Sequence, residues 1–225
     1  MQFRGAPEQT KVVFANVEYL WSMPMENITA KTKRSYALRW FESPNQVVSG
    51  ERYFFGSPHT IANPGPWYLR NKYGELVAAL SLLSLVTKGP GYSNLRELKR
   101  RIAETCHSAI YEKVPVENNF GIPQRYCGIH SALMHLSNPD RFEPIISAAH
   151  RDQICGVFDH HVENPSADPE VLIKQIKAVL YDPHEPAEDP DYMHRWFFYT
   201  KEIQPRWRNK TSKKQQRLSS AVFDV

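Results

Sequence analysis

The chain has 225 residues, 41% hydrophobic and 23% charged, a balance that suits one large domain or two small ones and excludes a wholly disordered chain. A net charge of +4 and a pI of about 8.9 permit a polyanionic partner without requiring one. Three cysteines, Cys106, Cys127 and Cys155, are an odd count for a disulfide scaffold and point to a reducing compartment.

The N-terminal MQFRGAPEQTKVVF holds no long apolar run, so no signal peptide is expected and the expected location is the cytoplasm. Lys11 to Trp21 mixes β-branched and aromatic residues and predicts a strand. Thr32 to Phe41 predicts a short helix stopped by Ser43-Pro44, followed by a loop-rich stretch in which Arg52 to Phe55 could form a small strand. Leu69, Tyr73, Leu76, Leu80 and Leu83 recur at helical spacing, and Gly89-Pro90 supplies a stop. Within that helix Leu76 to Val86 is the most apolar run; it falls short of the roughly 20 residues that span a bilayer, so it reads as a buried segment.

Asn94 with Glu97 forms a capping box ahead of a helix whose apolar stripe is Leu95, Leu98, Ile102, Cys106 and Ala109. Tyr126 to Leu136 predicts a further helix, ended by Ser137-Asn138-Pro139. Ser147 caps another, with Ile154 and Phe158 inward. Asp168-Pro169 opens a third, with Leu172, Ile176 and Val179 on one face. Asp189-Pro190 repeats that start signal before the aromatic run Trp196 to Tyr199. The expected fold is mainly α, with a few short strands in an α+β N-terminal part (1–114) and a helical C-terminal part (125–225). The loop from Val114 to Gln124 is the boundary between them, unless both parts form one continuous domain. The last residues, SSAVFDV, rise in hydrophobicity, as expected of a fragment of a longer protein.

No complete catalytic motif is present. GxxxxGK[ST] and GxSxG are both missing, so neither a Walker A loop nor a nucleophile elbow is expected. Cys127, His130 and His135, or Asp159, His160, His161 and Glu163, are the possible metal ligands, but neither set has the spacing of a closed zinc site. Cys155 lies near His150 and Asp159 without a clear activating partner. No cofactor is expected. The acidic run from Asp182 to Asp191 is broken by proline and reads as a solvated loop.

Positive charge is clustered: Lys31, Lys33, Arg34 and Arg39; Arg96, Lys99, Arg100 and Arg101; and the stretch from Arg206 to Arg217. Aromatic residues, 12% of the chain, interleave with them, as Tyr36 and Trp40 do with Arg34 and Arg39. Such clusters are ordinarily solvated faces, yet basic helices neutralise phosphates and exposed rings stack on bases.

The segment HLSNPDRFEPII, from His135 to Ile146, resembles a stretch in McrB-like proteins, the motor components of modification-dependent restriction systems. The helix from Ser147 to Val162, then Phe198-Tyr199 and Pro205-Arg206-Trp207, are similar to the same region, which lies upstream of the AAA+ domain. NVEYLWSMP and YLRNKYGELVAAL resemble it more faintly. The resemblance implies a binding module, not an enzyme, that recognises DNA, methylated DNA included, and targets an AAA+ motor and nuclease. Nucleotide hydrolysis does not carry over, because no Walker A, Walker B or sensor motif occurs here. On this reading Lys31, Lys33, Arg34, Arg39, Arg96, Lys99 and Arg100 contact phosphates, and Trp67, Tyr68 and Trp196 are candidates for a base pocket. The alternatives are an assembly module of a defence complex that does not touch DNA, and a metal-dependent hydrolase.

Overall fold

The computed structural model describes residues 5–25, 28–41, 64–88, 91, 94–112, 127–182, 194 and 196–208, and it is mainly helical. No strand occurs among the described residues. Backbone contacts divide the chain into two compact units. Unit 1 comprises Met1–Asp140 and Pro144–Ser147; unit 2 comprises Arg141–Glu143 and Ala148–Val225. The Val114 to Gln124 loop lies outside the described residues, as do Ser43-Pro44, Arg52 to Phe55, Gly89-Pro90 and Asp189-Pro190.

Unit 1 contains α1 (Glu8–Ser22), α2 (Ala30–Leu38), α3 (Gly65–Arg70), α4 (Lys72–Lys88), α5 (Leu95–His107) and α6 (Gly128–Ser137). The strand expected over Lys11 to Trp21 is instead α1. Its buried residues, Ala15, Val17, Glu18, Trp21 and Ser22, recur at helical spacing, while Val12 and Val13 are exposed. Packing of that face against α2 and α4 overrides the β preference of its valines. The π turn Ser108–Glu112 extends α5. α5 packs closely on α6, and both also touch α4.

The face that α4 buries differs from the expected stripe. Glu75, Val77, Ala78, Ala79, Leu82 and Val86 are buried, whereas Tyr73 is 68% exposed and Leu69 and Leu83 are partly open. The middle of α4 is apolar nearly all round, so spacing alone does not select a face. The small Ala78 and Ala79 join Val17, Cys127 and Ile129 in one cluster, with Leu76, Leu80 and Leu133 at its edge. Glu75 reaches from α4 to the first turn of α6, where its carboxylate accepts the Gly128 amide at 3.0 Å and the Ile129 amide at 2.7 Å. Two otherwise orphaned helix donors are thereby satisfied from another element.

Unit 2 contains α7 (Ala148–Phe158), α8 (Pro169–Leu180) and α9 (Gln204–Arg208), with 3-10 turns at Asp159–His161 and Phe197–Tyr199. Ile154 and Phe158 face its core, as expected. Asp168 caps α8 by accepting the Glu170 amide at 2.9 Å, with Pro169 next in the chain. Leu172 and Ile176 are buried, but Val179 is 57% exposed: Ile173 and Lys177 complete the inner face instead. Lys177 is inward because Glu143 meets it there, at 2.8 and 3.0 Å, with Lys174 at 3.5 Å. Arg151 and Glu170 form a second buried pair, at 2.8 Å, between α7 and α8.

Candidate nucleic-acid interface

The three basic clusters have different structural fates. On α5 Asn94 caps the helix as expected, with the Glu97 amide donating to the Asn94 side chain at 3.0 Å. Ala103 and Cys106 then face inward, which leaves Arg96, Lys99 and Arg100 exposed on the outer side. Those three lie at positions i, i+3 and i+4, within about 6 Å of helix rise. Arg100 holds Glu104 with two contacts of 2.8 Å, an exposed i,i+4 pair worth about 0.3–0.5 kcal/mol. Arg96 and Lys99 form no ion pair among the described residues. Leu95, expected in the apolar stripe, is 65% exposed beside them, and Leu98 and Ile102 are half-buried.

The α2 cluster is split, with one cation buried and the others wholly or partly open. Lys31 is exposed and Arg34 half-buried. Lys33 is 3% exposed; its ammonium donates to the Met23 carbonyl at 3.2 Å, and burial lowers its pKa to about 8. Arg39 bonds through Nη2 to Glu18, a carboxylate only 1% exposed, while its own side chain is 44% exposed. The guanidinium lies 4.7 Å from the Trp40 ring centre and 5.7 Å from that of Tyr36. Lys72, at the start of α4, reaches the same Glu18 oxygen at 2.6 Å, and the Trp40 indole donates to the other oxygen at 3.0 Å. The Lys72 ammonium also sits 4.3 Å from the Trp21 ring centre and 4.7 Å from Tyr36. One buried carboxylate of α1 thus gathers residues from the C-terminal end of α2 and the start of α4.

Lys72, with Arg70, follows Trp67 and Tyr68 as one more pairing of cations with aromatics in the sequence, but Glu18 does not stand out. Glu18 and Lys72 are far apart in the chain, and no local spacing links them. The isolated glutamate among apolar neighbours on α1 was the available signal, and it is hidden when that segment is read as a strand.

In the third cluster, Arg206 covers the Phe158 ring at 5.0 Å and Arg208 is exposed; Lys210 to Arg217 lie outside the described residues. The aromatic candidates are not assembled into one pocket within either unit. Tyr68 is 2% exposed in unit 1, stacked on Trp21 at 6.1 Å, with its hydroxyl donating to the Trp21 carbonyl at 2.9 Å. Trp196 belongs to unit 2, half-buried and edge-on to Tyr199 at 6.1 Å. Trp67 lies in α3, but its side chain is outside the described residues.

Burial shifts several of the groups considered for other chemistry. Burial raises the thiol pKa of Cys106, Cys127 and Cys155 to about 12, with Glu75 adding to the effect at Cys127. A protonated thiol is a poor nucleophile and a poor metal ligand. His130 is 2% exposed, and burial lowers its pKa to about 4. His150, whose pKa is lowered by burial and by Arg208, shares a 3.1 Å hydrogen bond with the Tyr199 hydroxyl. Asp159, His160, His161 and Glu163 are exposed. Among the described residues no group of three or more His, Cys, Asp or Glu side chains is placed to hold a metal ion, and no helix is long and apolar enough to cross a membrane.

No family model, no curated protein and no solved structure matches this chain. The likeness to McrB-like proteins therefore rests on the quoted segments alone. The segment at its centre has a structural role. Phe142, Ile145 and Ile146 are buried, Arg141 lies over the Phe142 ring at 5.1 Å, and Glu143 secures α8 through Lys177.

Proposed function

We propose that this chain is a DNA-recognition module of a restriction-type defence system, with modified DNA among its targets and an AAA+ motor and nuclease as its partners. The observation that carries the reading is the outer face of α5, where Arg96 and Lys99 stand exposed without acidic partners among the described residues. Cations so placed bind backbone phosphates and release condensed counterions, which gives affinity and orientation but not sequence. The resemblance supplies the system and the partners.

The test is a titration of plain, cytosine-methylated and hydroxymethylated duplexes across a range of salt concentrations. Binding is expected to weaken steeply with salt. Arg96→Gln with Lys99→Gln is expected to reduce the slope of log affinity against log salt by about 2. Salt-independent affinity, or a slope unchanged in that double variant, overturns the α5 assignment.

A second reading, an assembly module, is favoured by the exposed apolar side chains Leu95 and Tyr73 in unit 1 and Val171 and Val179 in unit 2. It predicts a stable complex with a partner protein and no binding to any duplex.

A further inference from the structure

We propose that the Glu18 hub displays Arg39 and Lys72 as a phosphate-binding pair, with Glu18 and Trp40 as positioning residues; this rests on the nucleic-acid reading above. Two cations share one oxygen of a single carboxylate, so the hub carries a net charge of +1. The charges are also layered. Glu18 is 1% exposed, whereas Arg39 is 44% and Lys72 28% exposed, so solvent meets the cations. α2 adds the exposed Lys31 and the half-buried Arg34 and carries no acidic residue.

Geometry fits the pair to a phosphate. A guanidinium offers five N–H donors in a planar fork, of which Nη2 is turned to Glu18, and its carbon lies 4.7 Å from the Trp40 ring centre and 5.7 Å from that of Tyr36. The Lys72 ammonium supplies a compact point charge held by Glu18, Trp21 and Tyr36. Side chains immobilised before binding lose less conformational freedom when the ligand arrives. Trp40 acts at two points, since its ring supports Arg39 and its indole N–H holds the second Glu18 oxygen. The ligand chemistry is a phosphate oxyanion, either a nucleic-acid backbone diester or free inorganic phosphate.

The experiment uses the full chain, duplex DNA over a salt series, and inorganic phosphate alone by calorimetry. Arg39→Gln and Lys72→Gln are each expected to reduce the salt slope by about 0.9. Arg39→Lys is expected to keep the slope while weakening affinity roughly threefold to tenfold, because charge survives and the fork does not. Glu18→Gln makes the surface more positive, so a purely electrostatic role predicts tighter binding; positioning predicts binding weakened several-fold in a variant that remains folded by circular dichroism. If Glu18→Gln does not fold, Arg39→Gln, at a partly exposed side chain, still decides the pair. Wild-type slopes in Arg39→Gln and Lys72→Gln, beside a reduced slope in Lys99→Gln, overturn the pair and leave the nucleic-acid reading standing. Tighter binding by folded Glu18→Gln overturns the positioning role. If the wild type binds no duplex, the nucleic-acid reading fails. Phosphate binding that Arg39→Gln abolishes then identifies free phosphate as the ligand, and absence of binding to either probe overturns the proposal.

Discussion

Glu75 and His130 titrate in opposite directions inside unit 1. Burial raises the Glu75 pKa to about 7, against the Gly128 and Ile129 amides and the Asn71 side chain, which pull it down. Burial lowers that of His130 to about 4, and neither ring nitrogen has a hydrogen-bond partner among the described residues. Between about pH 4.5 and 7 the native state binds the extra proton at Glu75, so this group makes stability fall as pH rises. Between about pH 4 and 6.5 the unfolded state binds the extra proton at His130, so that group makes stability rise with pH. The two slopes oppose each other where the windows overlap. Relative to wild type, the stability of Glu75→Gln is expected to increase from pH 4.5 to 7, and that of His130→Leu to decrease from pH 4 to 6.5. Urea unfolding at several pH values reads both differences, and a flat difference for either variant refutes the assignment for that residue. Gly128, one residue into the same contact, has no space for a side chain. A Cβ there would lie 2.7 Å from Tyr68 Cδ2 and 2.8 Å from Ile146 Cγ2. Gly128→Ala is therefore expected to destabilise by about 1–3 kcal/mol, measured by chemical denaturation; a cost below a few tenths would mean that Tyr68 and Ile146 yield easily.

The helix starts were the elements most legible in the sequence, because their chemistry is local. Asn94 and Asp168 cap α5 and α8 as the residue pattern predicts, each accepting a backbone amide close by in the chain. Asn94→Ala is expected to cost about 1 kcal/mol, seen as a lowered urea midpoint; an unchanged midpoint would mean that α5 is held by its packing on α6 alone. Faces were less legible than ends. Tyr73, Leu95 and Val179 each fit an apolar period yet are exposed, because the buried face is chosen by the partner helix and not by the period. The α1 segment failed for a related reason: its valines favour a strand locally, and only α2 and α4 make the helical face worth burying. The candidate site was partly readable. Arg96 and Lys99 could be placed on an open helix face from spacing. The Glu18 hub could not be found, because Glu18, Arg39 and Lys72 meet only through tertiary packing.

The two compact units carry different buried weak points, and these allow the units to be told apart in one measurement. Unit 1 depends on the contact of Gly128 with Tyr68 and Ile146. Unit 2 depends on the Glu143 carboxylate, 4% exposed, which neutralises Lys177. Glu143→Gln keeps the shape and leaves the Lys177 ammonium without its counter-charge, a loss of about 3–5 kcal/mol when one partner of a buried pair is removed. The remaining lysine can shed its proton, because burial already lowers the Lys177 pKa and Glu143 is what raises it. The destabilisation of Glu143→Gln should accordingly lessen at alkaline pH, where a neutral amine is tolerated. If each unit unfolds as its own cooperative block, scanning calorimetry of the whole chain resolves two transitions. Gly128→Ala then lowers one of them and Glu143→Gln the other. A single transition that both variants lower would show instead that the chain unfolds as one block, and the two cores would then stand or fall together.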